Sequence, residues 1–415
     1  MRKRKQTRGA VELKSTNRSD VPLIVTTVLL VLFGVLMVYS AGSYTGKRIY
    51  GTEYYYVYKQ LVGAVLGGLC LVLMSRIDYH ILKKLRYVIL GVSIVLLAIV
   101  FIPGVGIENY GARRWINLPF FTIQASEVSK FGFIVFSAAY IGGNEDKITT
   151  FRGILPVVAV GAINCVLIIL EPNMSVTVCM ALLMIVMLFL GGAKLKHLLM
   201  IILPLIVAAV VLILAEPYRF ARLMAFIDPW ENPLSEGYQL IQSYYGLGAG
   251  GFFGVGLFNS RQKYLFLPFA ESDFIFSVIG EELGMFGCLV VMSAYIIMIR
   301  RALKIALGAP DRFGSLLCSG IAAIIAIQVM VNIAVVTGSI PPTGLPLPFI
   351  SSGSSGLIVF MASIGVLDSV KRRSHKSVEL LFERPVKKKR EKISKRERRQ
   401  RGGRVETGAA ISART

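Results

Sequence analysis

The stretch from Ser260 to Gly287 reads SRQKYLFLPFAESDFIFSVIGEELGMFG, and it passes from a long polar loop into an apolar run. Asp273 lies at that transition, and Glu281 and Glu282 follow inside the run. A charge near lipid is costly, so carboxylates in such positions usually mark a functional site or a paired structural network. The stretch therefore predicts a membrane-spanning helix with polar chemistry at one end.

The composition of the whole chain predicts a polytopic integral membrane protein. Of its 415 residues, 54% are hydrophobic, and the mean hydropathy is +0.65, which is too apolar for an ordinary soluble domain. A helix that crosses the hydrocarbon core needs about 20 residues. By this measure the sequence predicts an all-α fold with ten transmembrane helices, at roughly 21–41, 59–75, 87–103, 126–142, 153–170, 174–191, 197–214, 272–299, 313–337 and 350–370.

The distribution of basic residues predicts that both termini are cytoplasmic. Residues 1–20 carry seven Lys or Arg and residues 371–415 carry seventeen, whereas the alternate loops 171–173 and 338–349 carry none. Most of the net charge of +22 lies in this basic arm and tail. We expect the tail to be disordered and both segments to contact anionic lipid. Nucleic-acid binding by the tail is the weaker alternative, and we expect no nucleic-acid partner.

Two of the loops assigned to the outer side are long, at 104–125 and at about 215–271, the latter between the seventh and eighth helices. Loops of this length are usually functional or disordered. The second contains aromatic and apolar clusters, so we expect it to be ordered, with short helices on the membrane surface. Its glycines between 246 and 256 fit two interpretations, a flexible turn region or a close approach of the backbone to a bulky ligand.

The three histidines, His80, His197 and His375, all fall on the cytoplasmic side of this topology. An outward-facing reaction must therefore use a carboxylate, a Lys or a Tyr as its base. Asp273 is the candidate, because partial desolvation at the start of a span would raise its pKa. A helix N-cap is the alternative for Asp273. No Cys or His cluster has the spacing of a metal site.

A second group of polar residues surrounds the start of the fourth predicted span. Glu127 and Lys130 are three residues apart and can pair on a helix, either as a structural ion pair or as part of a polar cavity wall. Basic side chains that suit a pyrophosphate group gather on the same side. The full group comprises Arg113, Arg114, Trp115, Glu127, Lys130, Arg219, Arg222, Arg261 and Lys263. It predicts an anionic lipid ligand at the outer leaflet.

Six ordered motifs now point to a known family. They are GARRWI, IQASEVSK, DPWENPLSEGYQLIQS, GLGAGGFFGVGLFNSRQKY, SDFIFSVIGEELG and PLPFISSGSSG. Together they resemble the SEDS family of shape, elongation, division and sporulation proteins, which are ten-span peptidoglycan glycosyltransferases. The resemblance covers about residues 21–370, and the motif GFFGVGLFNSRQKY is most similar to the FtsW and SpoVE branch.

The resemblance implies polymerisation of lipid II on the outer face of the bacterial cytoplasmic membrane, for division or sporulation. The family's proposed catalytic aspartate corresponds to Asp273. The predicted substrate-binding residues are Arg113, Arg114, Trp115, Glu127, Lys130, Arg261, Lys263, Ser351 and Ser352. The family partner, a class B penicillin-binding protein, is expected at the eighth and ninth helices. No cofactor is assigned, and a divalent cation, Mg or Mn, is left open.

The chain also departs from the family pattern. Pro-Glu-x-His-Thr-Asp is replaced by Pro-Phe-Ala-Glu-Ser-Asp at 268–273, and Gln-Pro-Asp-x-Gly is replaced by Glu-Pro-Asn-Met-Ser at 171–175. Two alternatives to the polymerase stay open. One is a lipid II flippase with Glu127 and Lys130 along its path, and the other is a non-catalytic scaffold that recruits the penicillin-binding protein.

Overall fold

The computed structural model describes residues 18–109, 112–117 and 122–374, which form a helical bundle with one small sheet. Most of the basic arm, the tail from residue 375 and His375 itself lie outside these residues. In chain order the elements are α1 (Val21–Tyr50), α2 (Tyr55–Arg76), α3 (His80–Lys84), α4 (Arg86–Ile99), β1 (Gly106–Asn109), β2 (Ala112–Asn117), β3 (Thr122–Gln124), α5 (Ala125–Gly143), α6 (Glu145–Ile148), α7 (Phe151–Leu170), α8 (Met174–Leu190), α9 (Leu195–Leu214), α10 (Pro217–Ile227), α11 (Tyr238–Gly250), α12 (Ile275–Leu307), α13 (Arg312–Val336) and α14 (Ser354–Arg373).

Seven helices of the described ranges are long and apolar enough to cross a membrane, namely α1, α2, α7, α9, α12, α13 and α14. Two further apolar helices, α4 and α8, have 14 and 17 residues. Helix α5 coincides with the fourth predicted span and carries Glu127 and Lys130 near its start. The predicted helical, multi-pass membrane fold is therefore confirmed, whereas the count of ten spans stays a prediction.

The prediction of a purely helical chain missed a three-stranded antiparallel sheet, in the order β1-β2-β3, within the 104–125 loop. Its central strand β2 pairs Trp115 with Gln124 and Ile116 with Ile123 of β3. Aromatic and β-branched residues favour a pleated backbone. The strands are only three to six residues long, so a hydropathy analysis suited to long helices does not detect them.

Helices α2 and α14 approach each other through small residues. A Cβ atom at Gly63 of α2 would lie 2.9 Å from the Cα atom of Ser354. On the other helix, a Cβ atom at Gly365 would lie 2.4 Å from the carbonyl oxygen of Leu71. Close backbone contact of this kind is usual between membrane helices, because lipid is as apolar as the helix surfaces and dense packing must supply the attraction.

Helix α12 is broken at Gly284, where φ is +66°. The break leaves helix backbone groups without intrahelical partners, and the glycine-rich segment 250–256 binds them. Two amides of this segment donate to α12 carbonyls at 2.9 and 3.0 Å, and two α12 amides after the break donate back at 2.9 and 3.0 Å. The glycines thus permit a close backbone approach, as one interpretation held, but the partner is α12 rather than a ligand.

The two carboxylates inside α12 bind the loop that precedes the helix. Glu281 accepts hydrogen bonds from the 260–262 segment, including one from a backbone amide at 2.8 Å. Glu282 accepts one from the hydroxyl of Ser40 on α1 at 2.5 Å and lies 3.3 Å from the ammonium group of Lys263. Glu282 thus has a polar partner on a neighbouring helix, whereas Glu281 binds the loop.

The first and last described helices meet at one end of the bundle. The backbone amide of Asp20, before α1, donates to the carboxylate of Asp368 on α14 at 2.9 Å. Arg301 of α12 donates to the Asp20 carboxylate at 2.7 Å, and Arg372 donates to Asp368 at 2.8 Å. The start of α1 and the last turns of α12 and α14 therefore lie on the same side.

We expect Gly284→Ala to lower the thermal stability of the purified protein. A methyl group there would lie 2.4 Å from the backbone nitrogen of Gly254 and 2.5 Å from the carbonyl oxygen of Phe252. The clash and the positive φ together should cost about 2–4 kcal/mol, measured as earlier thermal unfolding in detergent. The control is Gly248→Ala in α11, where a Cβ atom would meet nothing within 4 Å. Equal unfolding temperatures in the two variants would contradict this account.

Candidate active site

A cavity of about 950 Å³ lies beside the start of α12. Its walls come from β2 and β3, the turn between α7 and α8, the 213–223 region, and the segments 269–274 and 340–360. Cavities of this size are typical of small-molecule and cofactor sites. Six of the residues predicted for the site line it, namely Arg114, Trp115, Glu127, Asp273, Ser351 and Ser352.

Asp273 lies two residues before α12, and its carboxylate faces this cavity. The backbone of Gly344 passes close by, so that a Cβ atom there would lie 3.0 Å from Oδ2 of Asp273. Burial raises the pKa of Asp273 to about 6, and Glu271 adds to the effect, while Arg222 and Arg114 oppose it. The N-cap alternative is wrong, because Phe274 occupies the cap position and no side chain caps the helix.

Ser351 and Ser352 hold the segment that carries Asp273. The hydroxyl of Ser351 donates to the carbonyl oxygen of Ser272 at 2.6 Å and accepts from the amide of Leu347 at 2.8 Å. The amide of Ser352 donates to the carbonyl oxygen of Glu271 at 2.9 Å. The hydroxyl of Ser351 is therefore already engaged within the protein, so its direct effect is on the loop.

Three arginines bring positive charge to the cavity. Arg114 donates to the backbone carbonyl of Glu171 at 3.2 Å and to that of Pro172. Arg219 and Arg222 come from α10, and both line the same cavity. Arg114 and Arg222 act on the pKa of Asp273, so their charges lie within electrostatic reach of its carboxylate. The arrangement suits an anion that binds next to a carboxylate base.

Glu127 and Lys130 form a buried ion pair at the start of α5. Their charged atoms are 2.6 Å apart, and each side chain is 3% exposed. Glu127 also lines the cavity, and its second carboxylate oxygen has no hydrogen-bond partner among the described residues. The structural ion pair and the polar cavity wall therefore both hold, because Glu127 belongs to each of them.

The remaining predicted basic residues do not reach the cavity. Lys263 lies 3.3 Å from Glu282 in a buried ion pair, so its charge is used within the fold. The side chain of Arg261 is exposed, and only its backbone amide contacts Glu281. Arg113 precedes Arg114 on β2, and successive side chains of a strand point to opposite faces. The structure does not bring these three residues together with Asp273.

Glu171 is an unexpected buried carboxyl group in the turn between α7 and α8. It is 1% exposed, and neither carboxyl oxygen has a hydrogen-bond partner among the described residues. Burial raises the pKa of Glu171 to about 8, although Arg114 lowers it. The group is therefore mainly protonated and neutral at pH 7. A neutral glutamic acid has nearly the shape of glutamine, the residue at this position in the family pattern that the sequence resembles.

The described side chains form no cluster of protein ligands for a resident metal ion. Within residues 18–109, 112–117 and 122–374, no group of three or more His, Cys, Asp or Glu side chains is placed to hold one. Mg²⁺ is usually held by one or two carboxylates together with substrate phosphates and water, so it does not require such a cluster. We derive no chemical step through a metal, and the divalent cation stays a prediction.

The chain is similar to known proteins over most of its length. The model of the FtsW/RodA/SpoVE family, described as cell cycle protein, matches residues 21–376. The chain belongs to this family. Stage V sporulation protein E of Bacillus subtilis (strain 168) is 38% identical over 356 residues, which is 86% of this chain and 97% of the relative.

Two further relatives of this SEDS protein carry functional descriptions. A probable peptidoglycan glycosyltransferase FtsW from Trichlorobacter lovleyi is 41% identical over 352 residues, covering 84% of this chain and 92% of the relative. A solved structure of a peptidoglycan synthase complex, described as coordinating polymerization and crosslinking, contains a chain that is 30% identical. Its TM-score is 0.71, and the match covers 85% of this chain and 98% of that one.

Asn332 was not among the predicted site residues, although it contacts the segment that carries Asp273. Its side-chain amide donates to the backbone carbonyl of Asp273 at 2.8 Å. The available signal was the pair of amides, Gln328 and Asn332, one helical turn apart within the apolar run of α13. Polar residues inside a membrane span usually have a functional or structural partner.

We expect Glu171→Gln to stabilise the protein increasingly as the pH rises from about 4.5 to about 8. The pKa of Glu171 rises from 4.5 to about 8 on folding, so between these values the unfolded chain is ionised while the folded protein is neutral. Stability is therefore lost with rising pH across this window and stays level above it. Glutamine does not titrate and should avoid the loss.

Thermal unfolding at pH 5, 7 and 9 measures this difference. We expect the variant and the wild type to unfold at similar temperatures at pH 5 and to separate by several degrees at pH 7 and 9, for a difference of a few kcal/mol. Glu231→Gln, at an exposed position, controls for the loss of one acidic group. A separation that does not depend on pH would refute the buried, neutral carboxyl.

Proposed function

We propose that this protein is a peptidoglycan glycosyltransferase that polymerises lipid II into glycan strands during cell division or sporulation. The observation that carries the proposal is the carboxylate of Asp273 in a 950 Å³ cavity that three arginines also line. Burial raises the pKa of this carboxyl group to about 6. The relatives named as peptidoglycan glycosyltransferases support the same activity. Peptidoglycan synthesis requires a base for a sugar hydroxyl and a site for a leaving pyrophosphate, and this cavity offers both.

In the proposed reaction Asp273 is the general base. The acceptor sugar's 4-hydroxyl gives its proton to a carboxylate oxygen of Asp273 while its oxygen forms a bond to the anomeric carbon of the donor. The bond between that carbon and the lipid pyrophosphate breaks, and the pyrophosphate leaves with the electron pair. A base whose pKa lies near the working pH is efficient in such a transfer, and about 6 meets this condition.

Arg114, Arg219 and Arg222 are the proposed partners of the pyrophosphate. Guanidinium groups donate paired hydrogen bonds to phosphate oxygens. Their fixed charges stabilise the negative charge that develops on the leaving group. This assignment replaces the proposed pyrophosphate contacts of Arg261 and Lys263, whose side chains do not line the cavity.

The proposed topology has ten spans, with α4, α5 and α8 added to the seven long apolar helices. Arg301, near the last turns of α12, pairs with Asp20 beside the chain's basic first segment, and this end is proposed to face the cytoplasm. Asp273 lies just before the first residue of α12, at the opposite end of this helix from Arg301. A cavity at that end would then open to the outer side of the bacterial cytoplasmic membrane, where lipid II is polymerised.

A class B penicillin-binding protein is the proposed partner, at α12 and α13, the eighth and ninth predicted spans. The related synthase complex, which combines polymerization with crosslinking, supports such an assembly. After the break at Gly284, α12 carries an exposed apolar face that includes Met285, Phe286 and Leu289. A single transmembrane helix of a partner could pack against this face.

We expect Asp273→Asn to abolish polymerisation of lipid II by the purified protein while it still folds. An amide cannot accept the hydroxyl proton, so the rate should fall about 10²–10⁴-fold. In the wild type, the rate should fall as the pH drops below about 6, because Asp273 becomes protonated. Gel analysis of glycan chains measures both effects.

Asp228→Asn is the matched control, because Asp228 is an exposed carboxylate of the 215–271 segment, which ends just before Asp273, and does not line the cavity. Full activity of the Asp273 variant would remove this residue from the mechanism. Reconstitution in liposomes, with lipid II translocation and chain growth measured separately, distinguishes the polymerase from a flippase. Translocation of lipid II without glycan-chain growth would favour the flippase. If cells that lack the wild-type protein grew normally with the inactive Asp273→Asn variant, the scaffold would be favoured.

We expect Arg222→Gln to reduce kcat/KM for lipid II about 10- to 100-fold, because a charge-assisted hydrogen bond to the pyrophosphate is lost. The same substitution at Arg48, an exposed residue near the end of α1 that does not line the cavity, controls for the change in net charge. Chain-growth kinetics over a range of lipid II concentrations measure the difference. Identical losses in both variants would contradict a specific anion site at α10.

A further inference from the structure

The short segment 271–273 is fastened by all three of its backbone carbonyls. The first accepts from the amide of Ser352 at 2.9 Å, and the second accepts from the hydroxyl of Ser351 at 2.6 Å. The third, the carbonyl of Asp273 itself, accepts from the side-chain amide of Asn332 at 2.8 Å. Three consecutive carbonyls bound in this way leave the backbone of Asp273 little freedom to move.

Asn332 binds two different loops of the site. It is buried on α13, and its amide also donates to the backbone carbonyl of Leu345 at 2.7 Å. An asparagine amide has two N–H donors in a fixed plane, and here each donor meets a different loop. The neighbouring residue of that second loop, Gly344, lies directly against the carboxylate of Asp273. The Asn332 side chain thus sets the distance between the segment that carries Asp273 and the loop that contains Gly344 and Leu345.

We propose that Asn332 is a positioning residue for Asp273. By binding the backbone carbonyls of residues 273 and 345 together, it fixes the position of the Asp273 carboxylate in the cavity. This inference rests on the proposed function and adds to it a residue outside the cavity lining. Asn332 does not line the cavity, so it acts on the reaction through Asp273 and not through the substrate.

The same helix provides a comparison for this role. Gln328 lies one turn before Asn332, is equally buried, and its amide has no hydrogen-bond partner among the described residues. Burying an amide costs free energy unless its donors are satisfied. Gln328 therefore bears the cost of burial without a compensating hydrogen bond, whereas Asn332 directs its donors to the loops of the site.

Replacement of Asn332 by leucine keeps the branched shape and removes both donors. The carbonyls of Asp273 and Leu345 then lose their shared partner, and the two loops can separate. A displacement of about 1 Å at a reacting group can cost about 10²-fold in rate. The arginines that bind the anion are untouched, so the loss should appear in kcat and not in KM.

The test compares Asn332→Leu with Gln328→Met, a matched replacement of a buried amide one turn away. We expect Asn332→Leu to lower kcat for lipid II polymerisation about 10- to 100-fold, with KM within about threefold of wild type. The acidic limb of its pH profile should move to lower pH, because water reaches a loosened Asp273. Gln328→Met should keep the wild-type kcat and profile. Wild-type kcat in Asn332→Leu, or equal losses in the two variants, would overturn the proposal.

Two further measurements keep the test decisive if the leucine variant folds poorly. Ser351→Ala removes the hydrogen bond to the carbonyl of Ser272 and should lower kcat with little change in KM. A rise in KM alone would assign Ser351 to substrate binding and argue against its role in holding this segment. Hydrogen–deuterium exchange of amides 272–278 should be faster in Asn332→Leu than in Gln328→Met. Equal exchange rates in the two variants would refute the positioning role of Asn332, whether or not the wild-type protein makes glycan. Failure of the wild-type protein to make glycan would refute the proposed function instead.

Discussion

The backbone polar groups that this chain carries into the bilayer must find their partners within the protein, because hydrocarbon offers none. The break of α12 at Gly284 is the clearest case. The glycine-rich segment 250–256 supplies the missing backbone partners, and the carboxylates of Glu281 and Glu282 bind the next part of the same loop. These contacts join the long 215–271 segment to α12, the helix that begins directly after Asp273.

The walls of the cavity obey the same constraint. The Glu127–Lys130 pair is neutral as a unit, which lets a carboxylate line the cavity from within the helical bundle. The segment that carries Asp273 has its carbonyls bound by neighbouring groups. Satisfied polar networks are rigid because an unpaired member would be costly. The cavity therefore presents its base and its arginines from a frame held by buried hydrogen bonds.

The sequence predicted the membrane helices because the thickness of the bilayer fixes their length and composition. It also placed Asp273, Trp115 and Glu127 at one site, through motifs and position. The short sheet escaped because strands of three to six residues leave no long pattern. Lys263 was assigned to the substrate because a sequence shows that a charge exists but not that Glu282 lies 3.3 Å away. The burial of Glu171 and the bridging amide of Asn332 depend equally on distant packing.

Arg114 shows how the turn between α7 and α8 prepares the cavity for a ligand. Two of its hydrogen bonds go to the backbone carbonyls of residues 171 and 172, and a guanidinium carries five N–H donors in one plane. The remaining donors thus keep a set direction before any anion enters. An ammonium group on a flexible stem lacks this planar array of donors, so its free donors would have no set direction. Binding then requires little loss of side-chain freedom, so more of the attraction is left for holding the lipid headgroup.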